Sequence, residues 1–177
     1  KYKHDNLEMI KREKLWARDP KTAFDYAHTI LGRAFPLGEL IIAKDAEYSF
    51  NYAVKVLDAR FKRGEPAIAK DAEYSFHYAI DVLDGPFPLG EAAIAKDSYY
   101  SFMYANYVLN RRFELGEPAI AKDGKWSYHY ARDVLDDSFP LGEPAIAKDV
   151  HWSYLYAFTI NKPFPLGEPA ISKDTLY

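Results

Sequence analysis

Apolar residues recur along this chain at intervals of three and four, which is the spacing of an amphipathic helix. The stretch that follows Asp71 shows the pattern most plainly. Its small or apolar residues fall on one helix face and are Ser75, Tyr78, Ala79 and Val82, with Phe76 and Leu83 widening the stripe. The carboxylate of Asp71 is suited to accept hydrogen bonds from the unpaired amides of a first turn. The pattern therefore predicts a helix of about three turns that begins after Asp71.

A break and a shorter helix are predicted next. Gly85, Pro86 and Pro88 interrupt the helical pattern. We expect a second helix from Gly90 through Lys96, whose ammonium group complements the negative end of the helix dipole. The Asp that follows then caps the next long helix. One unit thus consists of a long helix, a loop containing Pro, Gly and Phe, and a short helix.

This unit recurs every 26 residues. The glycine of the string GEPAIAKD stands at the same place in each copy, namely at Gly38, Gly64, Gly90, Gly116, Gly142 and, after a one-residue deletion, Gly167. A single unit is too small to bury its own apolar face, so neighbouring units must stack. Ser75 and Ala79 are small enough for close helix approach, and Tyr and Phe would fill the gaps between layers. We therefore predict an all-α fold, a right-handed αα-solenoid of about six 26-residue repeats.

The repeats divide the chain into three segments. Residues 1–18 are predicted to form an N-terminal capping helix, because Asp5 and Glu8 match a capping box. The apolar side chains of this segment are Leu7, Met9, Ile10, Leu15 and Trp16. Residues 19–174 hold the six tandem repeats, which are 19–44, 45–70, 71–96, 97–122, 123–148 and 149–173. Residues 174–177 form a C-terminal stub that begins a further unit.

The phrase FPLGEPAIAKD followed by YSFxYAxxVL carries a family resemblance. The two-helix unit resembles a compact relative of the HEAT, armadillo and tetratricopeptide repeats, although it is shorter than all of them and lacks their sequence signatures. The phrase is similar to GEPAIAKD-type repeats of phage and bacterial proteins without an assigned activity. The resemblance covers residues 19–174 and implies a repeat fold. A likeness of this kind does not identify a partner.

Composition limits the classes of function. Apolar residues make up 49% and charged residues 28% of the chain, which is typical of a globular protein. The net charge of −3 lacks the basic excess of a nucleic-acid binder, and the lack of cysteine excludes disulfides and thiolate metal sites. No apolar run approaches the ~18 residues of a membrane span, and the charged N-terminus does not resemble a signal peptide. We expect a soluble cytoplasmic protein without membrane association.

The positions that differ between copies are the candidates for function. Counting the capping Asp as position 1, positions 3, 7 and 10 of the long helix vary most and share one helix face. This face is mixed and acidic in the first repeats, whereas in the last repeats it carries apolar residues around a basic patch of Lys125, His129 and Arg132. Aromatic residues, Met and Arg are enriched at interface cores. The predicted partner-binding residues are Tyr99, Met103, Asn106, Lys125, His129, Arg132, His151, Leu155 and Phe158, together with His77 and Ile80.

The leading hypothesis is a non-catalytic module that binds a protein, for instance a phage-type adaptor or an inhibitor of a host protein. A nucleic-acid binder would instead use the basic N-terminal segment with Lys125 and Arg132. A small-molecule pocket would be lined by Trp126 and Trp152. A structural array would self-associate through the open solenoid end at Tyr177. In the remaining alternative, the variable face has no binding role and simply faces solvent or packs on a neighbouring copy.

Catalytic residues, metal sites and cofactors are not predicted. The chain has no phosphate loop, nucleophile elbow, metalloprotease helix or dinucleotide fingerprint. One glutamate recurs in every copy, at Glu39, Glu65, Glu91, Glu117, Glu143 and Glu168. Identical use in every unit indicates a cap or helix-terminus partner rather than a carboxylate ladder. His77 and His129 stand two repeats apart, which at roughly 10 Å per helix separates them too widely to share a metal ion.

Overall fold

The computed structural model describes residue 11 and residues 13–173, and every regular element in that part of the chain is a helix. The α-helices after residues 13–16, which are themselves helical, are α1 (Pro20–Asp25), α2 (Pro36–Ile42), α3 (Ala46–Tyr52), α4 (Glu65–Ile68), α5 (Ala72–Tyr78), α6 (Glu91–Ile94), α7 (Ser98–Met103), α8 (Glu117–Ile120), α9 (Gly124–Tyr130), α10 (Glu143–Ile146), α11 (Val150–Ile160) and α12 (Glu168–Ile171). The predicted all-α class is confirmed.

Most of the long helices change type partway along. After α1, α3, α5, α7 and α9 the chain continues without a break as π-helix, over Tyr26–Leu31, Ala53–Leu57, Ala79–Leu83, Tyr104–Leu109 and Ala131–Leu135 respectively. A π-turn is wider than an α-turn because each N–H bonds to the carbonyl five residues earlier. The sequence predicts a helix over this stretch, and its spacing of three and four does not distinguish the π-turns from α-turns.

Each long helix ends at a residue with left-handed backbone geometry. Asp84 has φ 48°. The backbone N–H groups of Asp84 and Gly85 both donate hydrogen bonds to the carbonyl of Ala79. Apart from Gly32 in the first copy, the same place is taken by Asp58, Asp84, Asn110, Asp136 and Asn161. Asp and Asn tolerate this conformation because their short polar side chains bond locally. The predicted break at Gly85 and Pro86 therefore lies one residue too late.

The recurring aspartates cap the long helices as predicted. Each carboxylate accepts the backbone N–H three residues later, as Asp71 does from Tyr74 at 3.0 Å. The same bond is made by Asp19, Asp45, Asp97, Asp123 and Asp149. The short helices are shorter than predicted, since α6 ends at Ile94 rather than at Lys96.

The chain divides into two compact units, Lys1–Gly90 and Glu91–Tyr177. In the first unit, α1 packs against α2 and α3, and α3 packs against α4 and α5. In the second unit, α7 packs against α8 and α9, α9 against α10 and α11, and α11 against α12. Each long helix thus contacts the short helix that follows it and the next long helix of its unit.

The predicted terminal segments fall largely outside the described residues. The capping box of Asp5 and Glu8 and the stub 174–177 lie there. Of the predicted capping helix, residues 13–16 are helical, and the ring of Trp16 stacks on that of Tyr26 with centroids 5.2 Å apart.

A buried tyrosine anchors each long helix to the elements before it. The hydroxyl of Tyr130 accepts the backbone N–H of Phe113 at 2.9 Å and donates to the carboxylate of Glu117 at 3.0 Å. Each of the tyrosines in this position is at most 2% exposed, and they are Tyr52, Tyr78, Tyr104, Tyr130 and Tyr156. The recurring glutamate lies in the first turn of its short helix, as predicted, but its carboxylate serves as the acceptor for this hydroxyl.

The tyrosine hydroxyls stay protonated at neutral pH. Burial raises the pKa of Tyr52 to about 12. The nearby Glu39 carboxylate also raises this pKa, whereas the hydrogen bond from the N–H of Phe35 lowers it. In two copies an arginine pairs with the same glutamate, as Arg112 does with Glu117 at 2.5 Å. Arg60 pairs with Glu65 in the same way. Each buried carboxylate therefore meets donors rather than an open site.

In every long helix after the first, a serine bonds to the short helix that precedes it, and a glycine allows close approach of the short helix that follows. The hydroxyl of Ser101, which is fully buried, donates to the carbonyl of Ile94 at 2.9 Å. A Cβ on Gly116 would lie 2.7 Å from the Cβ of Ser101 and 2.5 Å from the ring of Phe113. The recurring glycine is thus required for close approach, and the recurring serine has a hydrogen bond that the helical pattern does not reveal.

Removing one anchoring hydroxyl tests this network. We expect Tyr130→Phe to lower the free energy of unfolding by about 1–3 kcal/mol, because the N–H of Phe113 loses its buried acceptor. The matched change Tyr107→Phe affects a ring that is 57% exposed and should cost no more than about 0.5 kcal/mol. Urea unfolding measures both, and equal effects would show that the hydroxyl is not an anchor.

The close approach at the glycine is testable in the same way. We expect Gly116→Ala to lower the free energy of unfolding by about 1–3 kcal/mol, because the added methyl group overlaps Phe113 and Ser101. The control Gly85→Ala meets nothing closer than 3.9 Å, so it should leave the thermal midpoint unchanged or slightly raised. A neutral Gly116→Ala variant would contradict the packing described.

Candidate partner-binding surface

The predicted partner-binding residues of the second unit all reach the surface. None of the nine residues at positions 3, 7 and 10 of α7, α9 and α11 and their continuations is buried. Phe158 is 74% exposed, Tyr99 37%, and Met103 and Leu155 are partly exposed. By contrast, the invariant tyrosine and serine of the same helices are buried, as are the alanines Ala105 and Ala131. The helices therefore place the invariant residues inside and the variable residues outside.

His77 and Ile80 belong to the first unit, on α5 and its π-helical continuation. Ile80 is 38% exposed. The imidazole of His77 contacts the rings of Phe50 and Phe76 and lies 3.7 Å from the carboxylate of Asp81.

Aromatic rings at positions 4 and 6 connect neighbouring long helices. In the second unit the ring of Phe102 stacks on Trp126 with centroids 5.5 Å apart, and Tyr128 contacts Trp152 at 5.7 Å. Smaller rings make the same contact in the first unit, where it joins Phe24 to Tyr48 and Phe50 to Tyr74. This contact is part of the architecture, and in the second unit tryptophan at position 4 enlarges it.

The second unit extends these contacts into a continuous surface row. Tyr99 contacts Trp126 at a centroid distance of 4.9 Å, and Trp126 contacts His129 at 5.7 Å. His129 contacts Trp152 at 5.8 Å, and Trp152 contacts His151 at 4.8 Å. We call these five residues the aromatic row. It runs from α7 across α9 to α11, and each ring is held by its neighbours.

Sequence reasoning placed three of these residues on the surface but missed the part that Trp126 and Trp152 play in it. Trp126 and Trp152 stand at position 4, outside the variable positions 3, 7 and 10, and the sequence names them only as the lining of an alternative small-molecule pocket. The structure leaves both indoles partly exposed while they pack between neighbours. The sequence does contain a signal for this exposure, since tryptophan replaces the tyrosine found at position 4 in other copies. An indole is too large to be covered by the same neighbours.

The predicted basic patch carries less charge than its composition indicates. Arg132 lies over the ring of Tyr128, with the guanidinium carbon 5.1 Å from the centroid, and pairs with Asp133 at 2.6 Å. Burial, followed by the charge of Arg132, lowers the pKa of His129 against the opposing effect of Asp133. The imidazole is therefore neutral at physiological pH. Lys125, 4.3 Å above the ring of Trp126, is also exposed.

A hydrogen bond fixes the orientation of His129. Its Nδ1 accepts a hydrogen bond from Nη2 of Arg132 at 3.0 Å. This assigns the ring proton to Nε2 in the neutral imidazole. Protonation of Nδ1 would remove that bond and set two cations side by side.

Two negative findings complete the description. Within the described residues, no three His, Cys, Asp or Glu side chains converge as metal ligands would. The helices of the same residues are all too short or too polar to traverse a lipid bilayer.

The environment of His129 predicts how stability depends on pH. Because its pKa is lowered in the folded protein, the unfolded chain takes up a proton first as the pH falls below about 6.5. The stability contribution is therefore complete above that value and is lost as the pH falls towards the lower folded pKa. We expect the urea midpoint to fall between about pH 7.5 and 5.5, and to fall less in His129→Gln. An equal fall in both proteins would show that another group is responsible.

The comparisons with known proteins add no functional assignment. No protein family, no curated protein and no solved structure matches this chain.

Proposed function

We propose that the chain is a non-catalytic, protein-binding repeat module that holds its partner on the variable face of the second unit. The observation that carries this proposal is the aromatic row, a set of large rings that are fixed by packing and still reach solvent. Aromatic residues, Met and Arg dominate the energetics of protein interfaces, and rigid side chains lose little entropy when they bind. Met103 and Arg132 flank the row on the same helix faces.

The repeat architecture supports a surface of this kind. Within each of the two compact units, the same Asp cap, Ser bond and buried Tyr anchor recur every 26 residues, as in Ser101 and Ser127. We propose that the 26-residue repeats form the right-handed αα-solenoid of about six repeats expected from the sequence. Solenoids of this class commonly offer an extended surface to a partner, which fits the division between invariant interior and variable exterior.

A protein partner fits the surface better than a nucleic acid. Neighbouring rings of the row already lie 4.8–5.8 Å apart, so a base has no gap in which to stack between them. Arg132 is paired with Asp133, and the chain carries a net charge of −3. Lys125 is the observation that favours nucleic acid as the second candidate, because a lysine beside exposed rings suits a single strand.

We propose a phage-type adaptor or an inhibitor that binds a host protein in the cytoplasm as the most specific form of this role. Such a role needs neither a cofactor nor a metal ion.

Loss of partner capture by a surface variant tests the proposal. The immobilised chain is incubated with lysate of its source organism, and retained proteins are identified by mass spectrometry. We expect the double variant Met103→Ala/Arg132→Ala to retain the partner at least about tenfold less than the wild type, because both side chains lie on the proposed interface. The free energy of unfolding is measured alongside, to show that the variant is folded.

A matched control comes from the first unit. Asn51→Ala/Val54→Ala changes positions 7 and 10 of α3 and its continuation and should leave capture intact. Nuclease treatment and a rise in salt from about 50 to 200 mM separate the two candidate functions, since only phosphate contacts weaken steeply with salt. Undiminished capture by the folded double variant would overturn the proposal, and capture that nuclease abolishes would favour nucleic acid.

A further inference from the structure

The aromatic row exposes two hydrogen-bond donors. The indole N–H groups of Trp126 and Trp152 find no acceptor among the described residues. No side-chain nitrogen or oxygen of that part of the chain is both buried and unpaired, so both N–H groups reach solvent. An indole can only donate. The row therefore combines aromatic rings with two donors that can bind carbonyl oxygens.

We infer that the aromatic row receives a proline-rich segment of the partner in the polyproline II conformation. This inference rests on the proposed function, because it names the kind of polypeptide that the partner presents. A polyproline II helix has no internal hydrogen bonds, so all of its carbonyls are free to accept. Its ring faces are apolar and flat, and aromatic-lined grooves are the usual site at which such segments bind.

The spacing of the row agrees with this conformation. The ring centroid of His129 lies 5.7 Å from that of Trp126 and 5.8 Å from that of Trp152. The centroids of the two indoles are therefore no farther apart than the sum of these two distances. A polyproline II helix advances ~9 Å in each turn of three residues. Neighbouring packed helices lie ~8–10 Å apart, so one turn of the ligand spans one step between long helices. The same face of the ligand would then meet Trp126 on α9 and Trp152 on α11.

The rings are held in place before any ligand arrives. Trp126 is packed between Tyr99 and Phe102, and Trp152 contacts Tyr128. A polyproline segment is itself conformationally restricted in the free state. Neither side therefore loses much entropy on binding, which is the condition under which a small, mostly apolar contact yields measurable affinity.

Nuclear magnetic resonance of the indole N–H groups tests the inference in the unmodified chain. The protein has three tryptophans, so Trp16 in the first unit serves as an internal reference. We expect decaproline to shift the indole signals of Trp126 and Trp152 saturably and to leave that of Trp16 unchanged. A Gly-Ser decapeptide should shift none of them.

Removal of the donors supplies a second measurement. Trp126→Phe/Trp152→Phe keeps a ring at each place but removes both N–H groups, and we expect it to weaken fluorescein-labelled decaproline binding about tenfold. Trp16→Phe is the matched control and should bind as the wild type does. If decaproline fails to bind saturably up to about 1 mM, or moves the Trp16 signal alone, the inference is wrong.

The outcome is separable from that of the proposed function. If Met103→Ala/Arg132→Ala loses the partner while the wild type does not bind decaproline, the proposed function stands and the polyproline inference is wrong. If the wild type binds decaproline at the aromatic row while the double variant keeps the partner, the proposed function is wrong instead.

Discussion

After the first copy, a buried tyrosine hydroxyl ties each long helix to the structure that precedes it. In the second unit, Tyr130 accepts the N–H of Phe113 and donates to Glu117, and Tyr156 does the same with Phe139 and Glu143. The hydroxyl is buried, so the loss of either partner would leave a desolvated polar group, which is far more costly than the net gain from one such bond. The position of every neighbouring element depends on this bridge.

Because the bridge is repeated, the outward positions are free to vary. Tyr, Ala, Ser and Phe residues with fixed contacts occupy the interior, and the tyrosine bridges described above use no side chain from positions 3, 7 and 10. The aromatic row is built on these outward positions together with the enlarged rings at position 4. Its rings pack against one another and against the rings below them, which is the kind of support that the proposed binding role requires.

The sequence predicts the helices, their Asp caps and the exposed face, because each of these depends on residues close together along the chain. It does not predict that Glu117 and Tyr130 meet, since they lie in different helices and helical spacing does not relate them. The π-turns are also hidden, because intervals of three and four fit both helix types. The left-handed residue was detectable, since Asp84 has Asp or Asn at the same place in four other copies. For the site, the pattern identified Tyr99, His129 and His151, but it named the two indoles of the row only as the lining of an alternative small-molecule pocket.

The most direct test of a partner held on the second unit is site-specific photocrosslinking. p-Benzoylphenylalanine placed at position 99, on α7, should crosslink to the partner, because Tyr99 lies at one end of the aromatic row. The same group at the equivalent position 73 of α5, which is Glu73, should give little or no product. Crosslinking to the partner from position 73 and not from position 99 would contradict the account.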